Sequence, residues 1–89
     1  MEDLKKACSE FVEKITEAQE NATLIDYLND RVLEVKNDCL VFTIGGPYIY
    51  LDLKNGSVVG ENGFYGNTTK TFFDKTQWQY ISAEIKELF

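Results

Sequence analysis

The chain has 89 residues, enough for one domain, and its 44% hydrophobic and 13% aromatic content is globular rather than disordered. Fifteen acids against nine bases leave a net charge of −6, which argues against nucleic acid as a direct ligand, because phosphate contacts need lysine and arginine. Histidine is absent, which removes the commonest general base, the commonest metal ligand and the ordinary pH switch.

In chain order, residues 3 to 22 read as a helix. Leu4, Cys8, Phe11, Ile15, Ala18 and Ala22 recur at spacings of three and four and form one apolar stripe. At about 100° per residue, Glu10, Glu13, Glu17 and Glu20 fall together on the opposite side. Asn21 marks where this helix weakens. Thr23 with Asp26 three positions on offers a capping-box-like start to a short second helix over roughly residues 24 to 29. From Arg31 the period changes. "RVLEVK" and "CLVFTI" are rich in β-branched and aromatic residues and read as a hairpin turning at Asn37-Asp38.

After Gly45-Gly46-Pro47, "YIYLDL" alternates, with Ile49, Leu51 and Leu53 on one side and Tyr48, Tyr50 and Asp52 on the other. Asn55-Gly56 is the strongest short hairpin signal and "SVVG" the next strand. "ENGFYGNTT", with glycines at a spacing of three, reads as a loop. Asp74 is a good N-cap for a last helix, with Gln77 placed to complete a capping box and Phe73 and Trp78 placed as a hydrophobic staple. Trp78, Ile81, Ile85 and Leu88 form its stripe. The predicted architecture is α+β: an N-terminal amphipathic helix, a short second helix, a three- to four-stranded antiparallel meander and a C-terminal helix, as a single domain.

Two constellations stand out. Four glutamates on one helical face, with successive members ~4.5–6 Å apart along the axis, imitate a line of phosphates; the plainer alternative is a solvated face. Residues 1 to 30 carry eight acids and three bases, so the charge is concentrated at one end of the chain. Tyr48 and Tyr50, extended by Phe64 and Tyr65, form a candidate anchoring face, since tyrosine joins apolar area to a polar tip. The alternative is that these rings only cover the second face of the sheet. No basic residues interleave with them, so single-strand stacking fits poorly.

Other motifs favour structure over chemistry. "GENGFYG" and "IGGP" lack the lysine and the strand–helix order of a phosphate loop and read as backbone devices. Ser9, Ser57 and Ser82 have no histidine partner, and the pair Asp52 and Glu61 does not make a glycosidase site. Cys8 and Cys39 sit in no CxxC pair, so zinc is not expected and reduced thiols are. "MEDLKKACSEFVEK" is charged and amphipathic rather than a signal peptide, no run approaches a membrane span, and the expected location is the cytoplasm. In that setting the sequons at Asn21 and Asn67 are chance matches. No catalytic residue, metal or cofactor is expected.

At "IGGPYIYLDLKNGSVVG" the chain resembles small acidic uncharacterised proteins of phages and mobile elements of Gram-positive bacteria. The matching residues are Gly45, Gly46, Pro47, Ile49, Leu51, Asp52, Gly56, Val58 and Gly60. The resemblance implies a setting in which such proteins inhibit host defence, and in size, charge and lack of chemistry the chain is similar to anti-CRISPR proteins. The expectation is a non-enzymatic inhibitor that binds a CRISPR effector or other nuclease complex at a basic nucleic-acid-binding surface. In it, Glu10, Glu13, Glu17 and Glu20 would supply charge, and Tyr48, Tyr50, Phe64 and Tyr65 the anchors. The alternatives are a small homodimeric structural or interaction module whose tyrosine face is the dimer contact, and an immunity-type protein neutralising a toxin.

Overall fold

A computed structural model describes residues 2–45, 47–62 and 66–88, the side chains of Glu2 and Leu88 excepted. Its elements are α1 (Glu2–Glu20), α2 (Leu24–Arg31), β1 (Glu34–Lys36), β2 (Cys39–Thr43), β3 (Tyr48–Asp52), β4 (Ser57–Asn62), β5 (Asn67–Phe72) and α3 (Lys75–Leu88). The strands form one antiparallel sheet in the order β1-β2-β3-β4-β5, each strand beside its neighbour in the chain. The α+β architecture agrees with the sequence reading, but the meander has five strands rather than three or four.

The turns follow from local chemistry. Asn37 and Asp38 both hold positive φ, at 48° and 64°, the pair of conformations that a two-residue type I′ hairpin requires. The β3–β4 connection is longer than the Asn55-Gly56 signal suggests, because Asp52 gathers the turn onto its own carboxylate. Its oxygens accept from the Lys54 and Asn55 amides at 3.0 and 3.2 Å and from Asn55 Nδ2 at 2.7 Å. Gly56 then carries the positive φ alone, and a Cβ there would lie 2.9 Å from the Trp78 indole. At the β2–β3 break, Gly45 has φ +107°, Thr43 Oγ1 donates to the Pro47 carbonyl at 2.8 Å, and the ladder shifts by one residue between Val41 and Thr43. Gly46, Gly63, Phe64 and Tyr65 lie outside the described residues.

Inward residues of the sheet meet the helices. Leu40, Phe42, Ile49, Leu51 and Val58 share one buried cluster with Leu4, Cys8, Ile15, Leu24, Leu28 and Ile81. α1 lies over β4 and β5. Gly60 makes that approach possible: a Cβ there would fall 2.7 Å from Cys8 Sγ and 2.8 Å from a Leu4 methyl. Phe11 also stacks on Phe42 at 4.6 Å between centroids, tying α1 to β2.

Four local expectations need correction. β5 occupies a stretch whose start the sequence reads as loop, because its inward positions are Asn67, Thr69 and Thr71 rather than aliphatic residues. β4 runs on through Glu61 and Asn62, where the sequence also predicts loop. Thr23 precedes α2 without a side-chain cap; its hydroxyl turns back to the Ala18 carbonyl at 3.4 Å, closing the end of α1 instead. The capping box of α3 is half made. Asp74 accepts from the Thr76 and Gln77 amides at 3.1 and 3.3 Å, while buried Gln77 Oε1 has no hydrogen-bond partner among the described residues. The staple does form, with Phe73 and Trp78 stacked at 5.3 Å.

Candidate functional site

Because α1 presses its apolar stripe onto the sheet, its opposite side faces solvent. Glu10, Glu13, Glu17 and Glu20 are all exposed there, as their spacing requires. Lys14 intrudes at the border, with Nζ 3.8 Å from Glu17 Oε2. Both partners of that pair are well exposed, so it stabilises by roughly 0–1 kcal/mol and leaves the face acidic. Asp26 and Asp30 of α2 are exposed as well, so the two N-terminal helices carry the molecule's negative field between them. Arg31 does not offset it freely: its guanidinium sits 4.4 Å above the Tyr27 ring.

The second candidate face is the outer side of the sheet, which no described helix covers. Tyr48 and Tyr50 stand on it as the alternation of β3 dictates, their rings 5.4 Å apart and tilted by 54°. Tyr50 lies between Val41 of β2 and Val59 of β4 in the ladder. Those valines are 0% and 1% exposed although they point away from the helices. Burial raises the Tyr50 phenol above its ordinary range, and Glu61 beside it adds to the effect. Cys39 shares this face; burial raises its thiol too, followed by the charges of Asp52 and Asp38. Cys8 faces the sheet from α1, and burial alone raises its thiol.

The glutamates and the tyrosines therefore occupy opposite sides of the molecule, with the core between them. A single flat or grooved partner cannot meet both. The positions of Phe64 and Tyr65 relative to either face lie outside the described residues.

Two features escape a reading of the sequence alone. Phe72 projects from the end of β5 onto the outer sheet face and is 62% exposed. Alternation along "NTTKTF" is the signal for it, masked by threonines on the inward side. An open hollow of about 500 Å³ lies between the β1 edge and the end of α3, lined by Val35, Asp38, Leu53, Lys54, Ile85 and Lys86. Its residues come from three separate parts of the chain, so no local motif announces it. Among the described residues no group of three or more histidine, cysteine, aspartate or glutamate side chains is placed to hold a metal ion, and no helix is long and apolar enough to cross a membrane. No protein-family model, curated protein or solved structure matches this chain.

Proposed function

We propose that the chain is a non-enzymatic inhibitor that binds a host defence nuclease complex in the manner of an anti-CRISPR protein, occluding a basic nucleic-acid-binding surface with the acidic face of α1. The observation that carries this reading is the exposure of Glu10, Glu13, Glu17 and Glu20 on one side of a helix whose other side is packed on the sheet. A line of carboxylates on a fixed scaffold attracts a groove built for phosphates and loses little freedom on docking. Glu13 and Glu17 lie mid-stripe and are the central contacts. Tyr48 and Tyr50, on the far side, serve a separate contact.

The test is displacement of nucleic acid from a guide-loaded CRISPR effector by the purified protein, at several salt concentrations. Inhibition should weaken steeply as salt rises, because the attraction is screened. The double reversal Glu13→Lys with Glu17→Lys should abolish it while changing folding stability by no more than about 0.5 kcal/mol, as surface substitutions do. Full inhibition by the reversed protein would rule the reading out.

A further inference from the structure

The outer face of the sheet has relief. Tall side chains stand on alternate strands: Glu34 and Lys36 on β1, Tyr48 and Tyr50 on β3, Lys70 and Phe72 on β5. In two of the rows the strands between them carry short ones, Cys39 and Val41 on β2 and Ser57 and Val59 on β4; in the third, Glu61 of β4 stands beside Tyr48. Over β2 this leaves a hollow of about 180 Å³, lined by Lys36, Asn37, Cys39, Tyr48, Tyr50 and Glu61. Over those two rows the face is ridged on odd strands and low on even ones, and so is complementary to itself when displaced by one strand.

We infer that this face is the contact of a symmetric homodimer, formed by stacking the open sides of two sheets about a two-fold axis parallel to the strands and between β3 and β4. That axis lays β3 over β4 and β5 over β2 of the second copy. Phe72 and Cys39 belong to one row of the ladder, Lys36–Cys39–Asp52–Ser57–Phe72. The exposed Phe72 ring therefore enters the hollow at Cys39 of the second copy. Glu34 and Lys70 end the adjacent row, Glu34–Val41–Tyr50–Val59–Lys70. The same axis brings Lys70 over Val41 of the second copy, beside its Glu34, and the pair recurs by symmetry.

Charge favours this contact over one between the acidic α1 sides. The face carries Glu34, Asp52 and Glu61 against Lys36 and Lys70, a net of −1, while the whole chain carries −6. Stacking open face on open face leaves the two acidic α1 helices on the outsides of a helix–sheet–sheet–helix sandwich, as far apart as the assembly allows. Strands about 4.8 Å apart and five or six residues long give a contact about 20 Å on a side, below the ~800 Å² per partner of a standard interface. The dimer is accordingly one that dissociates on dilution.

Sedimentation or light scattering of the purified chain over a wide concentration range reads this without any other partner, so it stands or falls separately from the proposed inhibition. A dimer at high concentration is expected. Phe72→Ala should weaken it about tenfold or more, as loss of a buried aromatic anchor does, with an unchanged far-ultraviolet spectrum because the ring is mostly exposed in the single chain. Lys70→Glu should weaken it, and Glu34→Lys added to Lys70→Glu should restore it. In Phe72→Cys, a short bismaleimide should join the introduced thiol of one copy to native Cys39 of the other. Within one chain those positions are three strand spacings apart, about 14 Å, too far for the reagent. A monomer up to millimolar concentration would overturn the inference and leave the face to a foreign protein. So would a dimer indifferent to Phe72→Ala that fails to cross-link.

Discussion

Val58 and Val59 are consecutive in β4 and equally buried, at 0% and 1% exposure, yet they sit in different surroundings. Val58 points inward to the helix-covered cluster. Val59 points outward, between Tyr50 and Lys70 of the adjacent strands, on the side that no described helix covers. One face of the sheet is closed by other elements of the fold. On the other, long side chains flank short ones within the sheet. Equal burial therefore does not mean equal contribution to stability. A helix-packed site resists collapse into a cavity, whereas an open face can let flexible neighbours settle into the gap.

The largest effect expected from this difference is between Val58→Ala and Val59→Ala. The inner substitution should cost about 2–3 kcal/mol, the lost transfer energy plus a cavity, and the outer one about 1 kcal/mol. Thermal unfolding resolves the gap, since each kcal/mol shifts the midpoint by roughly 4–8 °C in a domain of this size. Equal losses would erase the distinction between the faces. If the sheets stack as inferred, the loss in Val59→Ala will also grow with protein concentration.

Gly60 sharpens the comparison from the other direction. Gly60→Ala adds a methyl where Cys8 and Leu4 press closest, and should cost about 1–2 kcal/mol net of the backbone entropy it saves. The start of α1 should be affected first, seen as faster amide exchange over Leu4 to Cys8 than over α3. Uniform exchange along both helices would mean that α1 can ride over the added methyl.

The smallest effect is alkaline. Cys8, Cys39, Tyr27 and Tyr50 all have raised values in the folded chain, chiefly from burial. Each holds its proton longer folded than unfolded. Their stabilisation is thus complete below the ordinary thiol and phenol values, about 8.5 and 10, and is lost as pH rises through the raised ones. Melting temperature should fall above about pH 8.5, thiols first. Cys8→Ala should soften the first step on the inner face, and added salt should soften only the part that Cys39 owes to Asp52 and Asp38. A first step unchanged in Cys8→Ala would locate the titration elsewhere.

Much of this is legible in the sequence, and for physical reasons. The stripes of α1 and α3, the Asn37-Asp38 turn, the Asp74 cap and the Phe73–Trp78 staple are short-range devices, specified within a few residues. The placement of Glu10, Glu13, Glu17 and Glu20 on a solvent face, and of Tyr48 and Tyr50 on the side away from the helices, follows from the periods of helix and strand. What escapes depends on distant partners. The threonines of β5 read as a strand only beside β4, Gly60 reads as a contact only beneath α1, and Phe72 becomes a knob only once β5 exists.

The docking of α1 on β4 and β5 also sets an order of events during synthesis. Every strand pairs with the one made just before it, so the sheet can assemble as it emerges. The first helix cannot. Its apolar stripe waits for β4 and β5, and at ~5–20 residues per second the ribosome needs several seconds to make the stretch between Glu20 and Ser57. Throughout the delay that stripe is open to the surroundings, and the like charge of the glutamates on the other side of the same helix opposes association of nascent chains through it.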